Sequence, residues 1–167
     1  IRQHIKGKTF LNLFCYTGAV TVYAAAGGAI KTTSVDLSNT YLTWAQDNLR
    51  LNNLTGKQHE FVKSDCEKWL ALGSDHYDVI FLDPPSFSNS KSMEKHLDLQ
   101  ADHGHLIKAA MQRLSEDGVL IFSTNRKGFK LDDGIQEQYH CIDLELTTIS
   151  EDFRNHRPPH HCWEIRH

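Results

Sequence analysis

The chain has 167 residues, 40% of them apolar and 23% charged, with a formal net charge of −3. That composition suits a globular domain with a sizeable core, and no apolar run approaches the ~20 residues of a membrane span. The slight acidity argues against a domain that grips a large nucleic acid unaided, because such proteins carry a basic surface.

The opening stretch Ile1–Lys8 reads like the tail of a helix cut mid-pattern, so the sequence is expected to be a piece of a longer protein. Thr9 to Phe14 is a first strand, followed by a helix of small and apolar residues from Gly18 to Gly27. Thr32 to Val35 is a second strand ended by Asp36, after which Ser38 can cap a helix from Asn39 to Asn52. Glu60 to Lys63 is a third strand, and Asp65 opens a helix that reaches Leu72. Tyr77 to Leu82 is a fourth strand, and Leu97 to Leu114 has helical spacing. Val119 to Ser123 is a fifth strand. Cys141 to Ile149 alternates apolar and polar residues, and Cys162 to Ile165 can pair with it antiparallel. Strands alternating with helices predict one α/β domain over residues 1–167: a doubly wound, Rossmann-like sheet, mostly parallel, with an antiparallel C-terminal hairpin.

The most informative stretch is Asp83-Pro84-Pro85-Ser86-Phe87, directly after the fourth strand. Prolines fix φ and cannot extend a strand, so the loop is stiff where the strand delivers it. Ligands of such sheets bind outside the carboxyl ends of the strands, and chemistry-bearing residues fall at four of them. Asn12-Leu13-Phe14-Cys15-Tyr16-Thr17-Gly18 ends the first strand, and Gly18 lets backbone approach a ligand. Phe14 and Tyr16 stand where a dinucleotide fingerprint places glycines, which counts against NAD. Asp36 can accept hydrogen bonds from both hydroxyls of a ribose, or serve as an ordinary acid at a helix N-terminus. Asp65 can read an adenine amino group, cap its helix, or do both. Asp83 can hold an ammonium or a target base, and Phe87 can stack on a base face.

Four motifs carry a family resemblance: Asn-Leu-Phe-Cys-Tyr-Thr-Gly, Val-Asp-Leu-Ser, Asp-Pro-Pro-Ser-Phe-Ser-Asn-Ser-Lys and Phe-Ser-Thr-Asn-Arg-Lys-Gly-Phe. With them the chain resembles class I S-adenosylmethionine-dependent methyltransferases. More narrowly, it resembles the C-terminal methyltransferase half of bifunctional large-subunit ribosomal RNA methyltransferases. The resemblance implies S-adenosyl-L-methionine as donor, methylation of a guanine N7 in large-subunit ribosomal RNA, and upstream RNA-binding and second methyltransferase segments. The implied donor-binding set is Asn12, Phe14, Tyr16, Thr17, Gly18, Asp36, Leu37, Ser38, Asp65, Cys66 and Asp83. Asp83, Pro84, Pro85 and Phe87 form the catalytic loop. Asn12 departs from the acid that many class I enzymes place in the first strand.

Guanine N7 offers a lone pair in the neutral base, so placement alone carries much of the catalysis. Methylation of an exocyclic amine such as guanine N2 remains an alternative, as does a non-catalytic RNA-binding platform. A related branch methylates cytosine through a cysteine after the fifth strand; here that segment is Phe122-Ser123-Thr124-Asn125, without a thiol. Lys91, Arg126, Lys127, Arg154 and Arg157 are candidate RNA contacts. His156, His160 and His161 lack a completing ligand set, so no metal is expected. Scattered cysteines without a Cys-x-x-Cys pair predict a reducing, cytoplasmic setting.

Overall fold

A computed structural model describes residues 1–88, 97–149 and 160–167. The first half alternates β1 (Thr9–Leu13), α1 (Ala19–Ala26), β2 (Lys31–Asp36), α2 (Asn39–Leu51), β3 (His59–Lys63), α3 (Cys66–Leu72) and β4 (Tyr77–Leu82). The second half holds the short pieces β5 (Phe87–Ser88) and β6 (Leu97–Asp98), then α4 (Leu99–Met111) and β7 (Leu114–Thr124). It closes with α5 (Asp133–Gln138), β8 (His140–Asp143), α6 (Glu145–Thr148) and β9 (His161–Arg166).

Seven strands form one sheet in the order β3-β2-β1-β4-β7-β9-β8. The pairs from β3 to β7 are parallel, and β9 is antiparallel to both β7 and β8. This is the expected doubly wound sheet with an antiparallel C-terminal pair. Chain direction across the sheet reverses between β1 and β4, which opens a crevice at their carboxyl ends.

The parallel strands read as nearly continuous apolar runs because helices cover both faces. Leu11, Leu13, Ile80, Leu82, Leu120 and Phe122 pack on one face with Leu99, Leu106, Ile107, Ala110 and Met111 of α4. Phe10 and Val79 pack on the other face with Ala24 and Ile5. The Leu, Ile, Val, Phe and Met side chains among them contribute about 1.5–3 kcal/mol each when fully buried. Ser38 caps α2 through the Tyr41 amide, and Asp65 caps α3 through Glu67 and Lys68.

Three expectations shift. The alternation from Cys141 onward does not continue as one strand to Ile149. It stops at Asp143, whose carboxylate accepts the Glu145 amide (2.8 Å) and starts α6. The stretch read as a helix to Leu114 ends at Met111, because Leu114 already pairs with Tyr77 as the start of β7. Ile1–Lys8 forms hydrogen-bonded turns rather than a helical tail. Among the described residues, no helix is long and apolar enough to cross a membrane.

Candidate active site at the strand ends

The turn after β1 is built from left-handed backbone. Phe14 (φ 56°), Tyr16 (φ 49°) and Gly18 (φ 69°) all adopt positive φ within five residues. Non-glycine residues pay strain for that conformation and hold it only when their surroundings fix it. The fixing bonds are present. The Phe14 amide donates to Cys66 Sγ (3.3 Å), and the Cys15 amide donates to the Val35 carbonyl (3.1 Å). The Tyr16 amide donates to Asp36 Oδ2 (3.0 Å), and the Thr17 carbonyl accepts from Asn48 Nδ2 (2.8 Å). The ends of β1, β2 and β3 are thereby tied into one rim.

Asp36 sits half-buried on that rim, its second oxygen accepting the Ser38 amide (2.9 Å). Leu37 and Ser38 continue it, also half-buried. Asp65 directs one oxygen, Oδ1, at both amides of its cap. Gly18 serves packing as well as conformation: a Cβ there would lie 2.5 Å from Ala45 Cβ.

Asn12 is placed behind the rim rather than on it. It is buried, and its amide donates to Thr21 Oγ1 (2.9 Å), which bonds Ser34 Oγ (2.8 Å). This polar chain locks β1, α1 and β2 together. Cys15 and Cys66 are also buried. Burial, with the Asp36 charge adding, pushes the Cys15 thiol up to about 12, and burial pushes Cys66 well above its ordinary value. Both are neutral thiols, which suits packing and not nucleophilic attack.

Asp83 follows Leu82, which pairs with Leu13, so it lies beside the start of the left-handed turn. Asp83 is exposed at the carboxyl end of the central strand β4, with neighbouring protein packed around its carboxyl group. That desolvation pushes its carboxyl up to about 6, opposed by a hydrogen bond from the Ser123 hydroxyl. Pro84 is buried and Pro85 exposed. Phe87 begins β5, whose backbone pairs with Asp98 and Leu97 of β6.

Of the basic residues, Lys127 is exposed, whereas Arg126 forms an ion pair with Asp98 (2.9 Å). Lys91, Arg154 and Arg157 lie outside the described residues. His161 bonds Glu145, and His160 bonds Thr148. Among the described residues, no three His, Cys, Asp or Glu side chains gather as a metal set.

Sequence reasoning missed Ser123, Asn48 and Asn125. Ser123 was legible as the polar residue ending the strand beside Asp83. The Thr17–Asn48 bond and the bond from Ser86 Oγ to Asn125 Oδ1 (2.7 Å) join distant segments and left no local signal.

The chain matches a family model, described as conserved hypothetical protein 95, over residues 1–132. A ribosomal RNA large subunit methyltransferase K/L of Hahella chejuensis is 53% identical over 167 residues, covering 100% of this chain and 23% of that protein. The protein of the same description from Marinobacter nauticus is 48% identical over 170 residues, again covering 23% of its length. The chain thus spans under a quarter of the curated relatives it matches. Among solved structures, SMU.776, a methyltransferase complexed with SAH, superimposes with a TM-score of 0.82 at 30% identity, covering 99% of this chain and 47% of that one. From its strand order, the rim at its strand ends and these matches, the chain belongs to the family described as conserved hypothetical protein 95, within the class I S-adenosylmethionine-dependent methyltransferases.

Proposed function

We propose that residues 1–167 form one catalytic domain that uses S-adenosylmethionine to methylate a guanine of large-subunit ribosomal RNA, with N7 as the acceptor atom. The observation that carries this reading is the joining of Asp36 to the left-handed turn through the Tyr16 amide, with Asp83 beside that turn. The residues fit the donor. Asp36 offers a carboxylate to ribose hydroxyls, Asp65 an oxygen to adenine, and Asp83 a carboxylate to the methionine ammonium. Bound there, the donor supplies an electrophilic methyl on sulfur. The protein's part is orientation: the stiff Pro84-Pro85 turn fixes the backbone path from Asp83 into β5, beside which an unstacked base would be held. Aligning acceptor and methyl can contribute roughly 7–11 kcal/mol. Lys127, with Lys91, Arg154 and Arg157, supplies phosphate contacts, and the remaining length of the relatives leaves room for RNA-binding segments upstream.

A second reading, methylation of guanine N2, is favoured by one feature. Asp83, with its acidity weakened to about 6, is a better proton acceptor for an exocyclic amine than an ordinary aspartate. Digestion of RNA methylated in vitro, with nucleoside mass spectrometry against both methylguanosine standards, decides between them. N7-methylguanosine supports the first reading, N2-methylguanosine the second, and donor binding without methylated nucleoside supports neither.

A further inference from the structure

We infer that Arg126 is a positioning residue that holds the Pro84-Pro85 loop through Asp98, rather than a residue that touches RNA. The inference rests on the methyltransferase reading of the same site. Asp98 is a junction. Its backbone pairs with Phe87 in the β5–β6 ladder, and its Oδ1 accepts the Gln100 amide as the cap of α4. The same oxygen receives Arg126 Nη1 at 2.9 Å. Its own amide donates to Asp102 Oδ2 (2.9 Å), so the junction is held from three sides.

Arg126 in turn is fixed at its base, where its amide donates to the buried Thr124 Oγ1 (3.1 Å) at the end of β7. One residue earlier, Asn125 accepts from Ser86 of the Pro-Pro loop. Farther along, Gln100 of α4 bonds both the carbonyl and the amide of Lys130, and the Asp132 amide donates to His103 Nε2. The segment 124–132, the start of α4 and the loop from Asp83 to Ser88 are therefore stitched into one body, and the Arg126–Asp98 pair is its charged link. The guanidinium side chain is only 26% exposed, against the open Lys127 next to it. Arg126 Nη1 is already committed to the Asp98 carboxylate, and a planar guanidinium held in this way fixes the direction of the group it binds.

The test is a double-mutant cycle in the full polypeptide, with Arg126→Met, Asp98→Asn and the double variant. Asparagine keeps the cap on α4 while removing the charge. Kd for S-adenosylhomocysteine is measured by calorimetry, and kcat and KM on unmodified large-subunit RNA. Each single variant should lower kcat on the order of 10-fold to 100-fold, as a misplaced reacting group does, with donor Kd and RNA KM little changed. The double variant should be no worse than either single one. Lys127→Met, by contrast, should raise KM and flatten its salt dependence. An Arg126→Met variant that raises RNA KM with kcat intact, or effects that multiply in the double variant, would overturn the brace. A wild-type protein that binds no S-adenosylhomocysteine would instead overturn the methyltransferase reading.

Discussion

The Asp36 carboxylate accepts the Tyr16 amide at 3.0 Å, across the ends of two neighbouring strands. The acid proposed for the ribose thus also holds a non-glycine residue in left-handed backbone. Binding and turn geometry stand or fall together.

Asp36→Ala should therefore weaken S-adenosylhomocysteine binding by about 100-fold, since charge-assisted hydrogen bonds are each worth about 1.5–3 kcal/mol. Asp36→Asn, which keeps an acceptor oxygen, should weaken it less. Calorimetric titration with NAD as control checks both. An unaltered Kd in the alanine variant would remove Asp36 from the donor site.

Asp83 sets a pH dependence. Its folded acidity of about 6 lies above the ordinary 3.8, so the folded protein holds this proton more tightly than the unfolded chain. Its effect on stability is most favourable below 3.8 and is lost as pH rises through 6. Asp83→Asn should be more stable relative to wild type at pH 8 than at pH 4. Ammonium binding needs the ionised form, so wild-type donor affinity should fall as pH drops through 6, and the variant should lose that dependence. Melting curves and titrations at a series of pH values test both; parallel profiles for the two proteins would contradict this assignment.

Gly18→Ala should cost about 2–4 kcal/mol, combining the left-handed penalty with a clash against the helix α2 residue Ala45. The neighbouring atoms are a Cβ and a backbone Cα, which cannot swing aside. Urea denaturation measures it, and a change under 1 kcal/mol would show that α2 shifts freely.

Cys15→Ala should retain methyl transfer while losing about 1–3 kcal/mol of stability, and Cys66→Ala, which also removes the acceptor of the Phe14 amide, should slow transfer without abolishing it. The raised thiol pKa values leave almost no thiolate near neutrality. Abolished transfer in a folded Cys66→Ala protein would return covalent catalysis to consideration.

The fold was legible because its signal is local. Apolar runs such as Tyr77–Leu82 end at acids, and Gly, Ser and Asp mark the helix boundaries. The hairpin of Cys141 and Cys162 was legible from alternation, but its break at Asp143 depends on one side chain turning back to an amide. The strand-end acids were visible because residue type and position coincide. The interior role of Asn12 and the Arg126 pair were not, because their partners Thr21 and Asp98 are brought close by the fold. The sequence puts Phe14 and Tyr16 where a dinucleotide fingerprint has glycines. It did not reveal that the backbone takes left-handed positions anyway, held by bonds from β2 and α3.

The strand order has a consequence for synthesis. β9 is inserted between β7 and β8, and β8 pairs with no other strand among the described residues. While this sequence emerges from the ribosome, β8 appears before the neighbour it requires. The parallel half can assemble early, but the far edge stays open until His161–Arg166 has left the exit tunnel. Emergence of β9 is thus the event that lets β8 join the sheet.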